Sequence, residues 1–280
     1  MTQANSMHSE MARFWNESGG RRWSANIERV ERMLEPLSAA LLEFAAPRQG
    51  EQVLDVGCGG GLTSKAFADA VGPTGAVTGL DVSAVILEVA RARFGDVPNL
   101  RFVQEDAGST RFAPASLDLV TSRFGVMFFP APVDAFRNLR TALKPEGRLR
   151  FVCWQALALN PWMRLLAEAA FTVLPRPEPT PPNAPGPFGL ADETYLRGVL
   201  AGAGFGDIEV RAHRVTLDLG PVEAAVQQMT QMGPAAQAFE DADDSSRERV
   251  CDAMRAAVTP HAAGGTVRLD GATWLVAAAP

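Results

Sequence analysis

The sequence predicts an α/β fold, a mostly parallel sheet of seven strands with helices on both faces, on three observations. From about residue 50 onward, apolar segments of strand length alternate with stretches of helical periodicity. The first of these strands runs into a glycine-rich turn, and acidic residues stand at or near the carboxyl ends of the first three. At 280 residues and 47% hydrophobic composition, the chain can build a full core as one domain with a cover, or as a domain and a half.

Residues 1–48 read as a helical extension and flap. Ile27, Val30, Met33, Leu34, Leu37, Leu41 and Leu42 recur at helical spacing, which predicts a helix over 26–44 with its apolar face on the sheet. Upstream, Phe14, Trp15 and Trp23 are interrupted by Gly19-Gly20, a pattern of a flap anchored by aromatics. Trp23 is its candidate for touching a ligand.

Residues 49–155 read as the ligand-binding core. Val53-Leu54-Asp55-Val56 forms the first strand and Gly57-Cys58-Gly59-Gly60-Gly61 its turn. Glycines let this backbone bend sharply and approach a ligand, while a helix starting near Leu62 offers free amides at the same edge. Dinucleotide sites use a similar turn, but Asp55 would repel a pyrophosphate and attract an ammonium, directly or through water. The second strand, 76–81, ends in Asp81, placed to accept two ribose hydroxyls; Ser83 then N-caps a helix over 84–94. After the third strand, 100–104, Asp106 and the backbone at Ala107 can meet an adenine edge. The fourth strand, 117–123, aims Ser122, Arg123 and Phe124 into the crevice, followed by Val126, Met127, Phe128 and Phe129 and a helix over 133–143. Arg123 can contact a carboxylate of cofactor or substrate, or pair with Asp106 or Asp55. The fifth strand is 148–154.

Residues 156–190 read as an insertion, with a short helix near 164–174 and a proline-rich stretch over 175–187 that cannot form helix or central strand. Either a linker or a substrate-covering loop fits; the apolar tip Pro187-Phe188-Gly189-Leu190 favours the loop. Residues 191–280 complete the sheet: a helix over 191–203 capped by Asp192, a sixth strand over 208–217, a helical insertion near 221–260 with an acidic break at 240–244, and an apolar last strand over 273–279.

The core resembles the class I S-adenosylmethionine-dependent methyltransferases, the broad group that includes the ubiquinone and menaquinone C-methyltransferases, over about residues 50–155. The resemblance implies a Rossmann-like sheet, an antiparallel last strand, and S-adenosylmethionine as cofactor with S-adenosylhomocysteine as product. Asp55, Gly57, Gly59, Gly61, Asp81 and Asp106 stand at matching positions, so the glycine loop is expected around the methionine end, Asp81 on the ribose and Asp106 on the adenine amino group. Cys58, Val82, Ala107, Arg123 and Trp23 complete the expected cofactor contacts. Leu143-Lys144-Pro145-Glu146-Gly147-Arg148-Leu149 is similar to the family's L-K-P-G-G-x-L turn, with Glu146 in place of a glycine at a point away from the cofactor. The implied partner is a small, hydrophobic or aromatic methyl acceptor, with Phe124, Phe128, Trp154, Phe188 and Tyr195 as pocket candidates.

Composition excludes several other classes. A net charge of −6, with no basic cluster larger than pairs such as Arg21-Arg22, argues against a nucleic-acid substrate. Cys58, Cys153 and Cys251 have neither disulfide nor metal-ligand spacing, so no metal site and a reduced, cytoplasmic setting are expected. The amino terminus lacks an export signal, and no apolar run reaches membrane-spanning length. The histidines, His8, His213 and His261, and Tyr195 fit structural or surface roles, so no general base is assigned. An oxidoreductase using NAD(P) and a cofactor-binding regulatory protein without catalysis are the alternatives; a homodimer through the amino-terminal helix is open.

Overall fold

A computed structural model describes residues 3–280, with side chains from Glu10 onward. β1 (Gln52–Val56), β2 (Ala76–Asp81), β3 (Leu100–Gln104), β4 (Leu117–Arg123) and β5 (Leu143–Trp154) form the parallel part of one sheet. β6 (Gly206–Asp218) completes it through β8 (Thr266–Ala279), which lies antiparallel between β5 and β6 and also pairs with the two-residue β7 (Ala262–Ala263). The order is β3-β2-β1-β4-β5-β8-β6, so the strand sequence reverses between β1 and β4. In an open α/β sheet such a reversal leaves a crevice at the strands' carboxyl ends.

Helices cover the sheet. α1 (Gln3–Asn16), α2 (Ser18–Ala25) and α3 (Ile27–Ala45) precede β1; α4 (Leu62–Val71), α5 (Ala84–Phe94) and α6 (Pro132–Ala142) connect the parallel strands. α7 (Pro161–Ala170) and α8 (Glu193–Gly202) follow β5, and α9 (Val222–Met232), α10 (Ala236–Glu240) and α11 (Asp244–Val258) follow β6. The apolar stripe of α3 is buried as its periodicity predicts, at Ile27, Val30, Met33, Leu34, Leu37 and Leu41, and packs on β4, β5, β6 and α4. α7, α9 and α11 pack on one another, and α2 meets α9 across the crevice. Among the described residues, no helix is long and apolar enough to cross a membrane.

Local chemistry explains the boundaries. Ser83 and Asp192 accept backbone hydrogen bonds from Ile86 and Tyr195, capping α5 and α8 as expected. Pro161 sits in the first turn of α7, where a missing N–H costs nothing, so this helix starts and ends earlier than its apolar pattern suggests. Gly233-Pro234 adds a break between α9 and α10 beside the expected acidic one. Gly19-Gly20, expected to interrupt the extension, lies inside α2 instead. The reason is proximity: a Cβ at Gly20 would come 1.9 Å from the Trp15 carbonyl. The Leu143–Gly147 stretch is likewise not a turn but the start of β5, accommodated by an irregular register near Leu117.

The extension is clamped to the sheet by Arg148 of β5. Its guanidinium donates to both carboxylate oxygens of Glu51 at 2.7 and 2.8 Å and to the carbonyls of Ala45 and Ala46, which end α3. Burial alone would raise Glu51, but hydrogen bonds from Arg148 and the Arg48 amide, with the Arg148 charge, hold it below its ordinary 4.5. Glu51 therefore contributes stability that is present above pH 4.5 and lost as pH falls through its lowered value. Arg148→Met, which strands a buried carboxylate, is expected to cost about 3 kcal/mol at pH 7. Urea unfolding should show that loss shrinking below pH 4.5; a loss independent of pH would remove the ion pair as its cause.

Candidate active site

The crevice begins where β1 and β4 end. Gly57, at φ +68°, faces Gly125 so closely that a Cβ on it would come 2.6 Å from the Gly125 Cα. The amides of Gly57 and Cys58 both donate to the Leu80 carbonyl, at 2.7 and 3.1 Å, tying the glycine turn to the end of β2. Gly61, at φ +82°, is the N-cap of α4 and packs against Phe102. Phe124 holds φ +68° without being glycine, a strained backbone at the mouth of the crevice. Its ring stacks on Trp154 at 4.4 Å and 9°, and Trp154 meets Trp162 at 5.0 Å.

A cavity of about 480 Å³ opens along this edge. Gly57, Gly59, Asp81, Val82, Asp106, Ala107 and Arg123 line it, together with Trp23, Phe124, Phe128 and Trp154. These are site residues expected from sequence, brought together from the ends of five parallel strands and from the extension. Asp81 accepts from the amides of Gly59 and Ser83, each at 3.0 Å. Burial raises its pKa, while those amides and that of Val82 work against the rise. Asp106 accepts from the Gly108 amide at 2.8 Å. Arg123 donates to Ser38 at 2.8 Å; burial lowers its pKa, and the charges of Glu31 and Asp55 oppose that. Among the options open to it, the Asp55 side is therefore the electrostatic one.

Five expected residues lie outside the cavity wall. Asp55 is directed into the protein, 1% exposed, its Oδ2 accepting from Ser64 at 2.6 Å and its Oδ1 without a partner. Cys58 is buried, and burial first, then Asp81 and Asp55, raises its thiol pKa. Gly61 serves as the cap just described. Phe188 packs on the core while its neighbour Pro187 reaches the cavity, because the Gly186 amide anchors the loop to the Met127 carbonyl at 3.1 Å. Tyr195 packs on the core from α8, whose neighbours are α6 and β6.

The sequence reading expected a flap and a cover but missed the bonds that fasten them. Asn16 donates to the Val82 carbonyl and accepts from the Ala84 amide, both at 2.9 Å, and Ser83 donates to the Trp15 carbonyl at 2.6 Å, so the flap is fastened to the loop after β2. α2 and α3 are linked to the far wall by Asn26 to Gln231 at 2.7 Å, Arg29 to Gln227 at 3.2 Å, and an Arg22–Glu240 ion pair. Met33, Met127, Met163, Met229, Met232 and Gln228 also line the cavity. The nine methionines in the composition were the available signal. Among the described residues lining the cavity, Arg22, Asp81, Asp106 and Arg123 are the ionisable ones. His213 lies on β6 and His261 after α11; the side chain of His8 is outside the described residues.

A glycine turn after β1, with carboxylates at the end of β2 and after β3 at the reversal of a mostly parallel sheet, is the arrangement that the resemblance to class I S-adenosylmethionine-dependent methyltransferases implies. Residues 53–147 match a family described as "Methyltransferase domain". The residues present fit S-adenosylmethionine: Gly57 and Gly59 line the same cavity as Asp81 and Asp106, whose carboxylates can accept from the hydroxyls and amino group of an adenosine. Over 111 residues the chain is 39% identical to the ubiquinone/menaquinone biosynthesis C-methyltransferase UbiE of Pseudomonas savastanoi pv. phaseolicola, covering 39% of this chain and 43% of that one. Over 100 residues it is 40% identical to a demethylmenaquinone methyltransferase of Staphylococcus aureus, covering 36% and 42%. The chain thus spans under half the length of these relatives. Phosphoethanolamine N-methyltransferase 2 of Haemonchus contortus, solved with S-adenosyl-L-methionine, shares the fold at a TM-score of 0.60 and 16% identity, over 96% of this chain and 60% of that one.

Burial pushes the Asp55 pKa from 3.8 up to about 6, with Ser64 and Arg123 acting against the rise and Asp81 adding to it. The folded state therefore holds the proton more tightly than the unfolded chain, and stability present below pH 3.8 is lost as pH rises through about 6. Asp55→Asn keeps an acceptor for Ser64 and removes that loss. The ligand-free variant is expected to be more stable than the parent at pH 8, by up to about 3 kcal/mol. The difference should close toward pH 4 in urea titrations; a variant less stable at pH 8 would show that the charged form is favoured.

Proposed function

We propose that the protein transfers a methyl group from S-adenosylmethionine to a small, uncharged, aromatic or otherwise hydrophobic acceptor. The observation that carries this reading is one continuous cavity lined by Asp81 and Asp106 together with aromatic rings and methionines. When bound, the cofactor supplies a sulfonium methyl: the acceptor's electron pair bonds to the methyl carbon as the carbon–sulfur bond breaks toward sulfur, leaving S-adenosylhomocysteine and a proton on the acceptor to be released to water.

The chain's own residues bind, orient and exclude solvent. Asp81 would take the ribose hydroxyls, Asp106 and the Ala107 backbone the adenine edge, and Arg123 the cofactor carboxylate, opposite the charge of Asp55. Trp23, whose Nε1 would be 3.6 Å from a Cβ at Gly59, would cover the sulfur end. Holding an acceptor in line with the methyl group in a dry chamber supplies most of what such a displacement needs. No histidine, glutamate, cysteine or tyrosine lines the cavity among the described residues, which favours acceptors that are already nucleophilic over those requiring a strong base. The named quinone-type relatives support an aromatic ring as the target, and the apolar lining supports the same class.

Asp81→Ala should weaken binding of S-adenosylmethionine by about 2–3 kcal/mol, as expected for charged hydrogen bonds to two hydroxyls. Calorimetric titration checks it, with NADH titrated in parallel. Unaltered affinity in a folded variant would take Asp81 out of the site, and binding of NADH alone would replace the methyltransferase reading. Turnover is read as S-adenosylhomocysteine formed with a panel of phenols, quinols and apolar amines; binding without turnover of any would favour a regulatory role.

A further inference from the structure

Resting on the methyltransferase reading, we propose that Gln228 selects the acceptor by accepting a hydrogen bond from a hydroxyl group on an aromatic ring. Gln228 lies on α9, lines the cavity and is 4% exposed. Its Oε1 is shut off from solvent and has no hydrogen-bond partner. Its Nε2 faces the Met33 sulfur at 3.4 Å, a weak acceptor at best. A buried amide carbonyl without a donor destabilises the protein that carries it, and a ligand that brings the donor removes that cost.

The neighbouring glutamines sharpen the assignment. Gln231 also lines the cavity, but its Oε1 is taken by Asn26 at 2.7 Å; that of Gln237 is engaged by Arg22 at 3.4 Å. Of the three cavity glutamines, Gln228 alone offers an unclaimed carbonyl. Met33 and Met229, at the same wall, have flexible side chains that can give way as a ligand approaches it.

The chemistry of the wall selects the donor. The two carboxylates of the cavity stand after β2 and β3, whereas α9 contributes glutamines and methionines and no acid. A cationic amine at Gln228 would be buried without a counter-ion in a cavity that also holds Arg22 and Arg123. A neutral hydroxyl satisfies the carbonyl at no such cost. Trp15, Trp23, Phe124 and Phe128 around the chamber suit the ring that bears it. α9 lies outside the stretch, 53–147, that matches the methyltransferase family, which is where a feature particular to this chain's acceptor belongs.

The test uses the full chain saturated with S-adenosylhomocysteine and two probes of one shape, 1-naphthol and 1-methoxynaphthalene, which lacks the donor. Calorimetry should show 1-naphthol bound at least about tenfold more tightly. Gln228→Met, close in volume and apolar, should abolish that preference while leaving the affinities for 1-methoxynaphthalene and S-adenosylhomocysteine within about twofold. Its Tm should be equal to or above the parent's, because an unpaired buried carbonyl has gone; Gln228→Leu provides a second variant. A preference that survives in the variants, or no preference for 1-naphthol in the parent, overturns the proposal while S-adenosylhomocysteine binding leaves the cofactor reading standing. Unfolding of both variants makes Gln228 structural and overturns it as well. Failure of the parent to bind S-adenosylhomocysteine instead sinks the reading on which the proposal rests.

Discussion

The contact between Gly57 and Gly125 is the constraint on which the site depends. Two strand ends, β1 and β4, leave the sheet at the point where its order reverses, and there they touch backbone to backbone. A Cβ on Gly125 would come 2.5 Å from the Val56 carbonyl and 2.8 Å from the Gly57 Cα, so neither position has room for a side chain. With the turn held down in this way, the Leu80 carbonyl can receive two of its amides, the Gly59 amide can reach Asp81, and Phe124 can be forced into a left-handed conformation beside Trp154. Such strain persists where surrounding structure overdetermines it. Here the stacked Trp154 and the bond from the Phe124 amide to the Val152 carbonyl supply that support.

Behind the turn, a run of charges couples the extension to the core. Arg93 of α5 bonds to Glu31 of α3 at 2.8 Å and to the Gly60 carbonyl at 3.3 Å, and the charges of Glu31 and Asp55 both act on Arg123. Asp55 is therefore not exposed to a ligand but part of the support of the glycine turn, held from one side by Ser64 and from the other by the field of Arg123. Half-satisfied buried carboxylates are costly. Their value here is to place a guanidinium at the cavity wall with its charge only partly answered, which is the condition for it to bind another carboxylate.

The parts legible in the sequence were those set by local rules. Strands with buried runs, the Ser83 and Asp192 caps, the α3 stripe and the acidic strand ends all express themselves within a few residues, and the parallel core could be laid out in order. What could not be read was set by close approach between distant segments. Gly19-Gly20 looked like a break because glycine usually is one; only the packing of Trp15 and Ser83 against Gly20 shows why a helix would require it. Phe188 was assigned to the pocket by topology and Tyr195 for its hydroxyl, but which face of α8 and which residue of the loop reach the cavity depends on packing against α6, β6 and Met127. The polar links from α2 and α3 to α9 and α10 join residues some two hundred positions apart, and no spacing rule connects them.

The stretch that matches the methyltransferase family holds Asp81, Asp106 and the glycine turn, the parts proposed above for the cofactor. The aromatic and methionine lining proposed for the acceptor comes partly from that stretch, at Phe124, Met127 and Phe128, and partly from elsewhere: Trp15 and Trp23 from before residue 53, and Trp162 and Met232, with Gln228, from after residue 147. Identity of 39–40% confined to about a hundred residues therefore argues for the leaving group of the reaction far more strongly than for its nucleophile. The phosphoethanolamine enzyme shares the fold and, by its name, methylates nitrogen, so the sheet by itself does not choose the atom attacked. On the proposed reading that choice rests with the closing segments, whose aromatic rings line the cavity and where Gln228 Oε1 is the unpaired buried polar atom among the described lining residues.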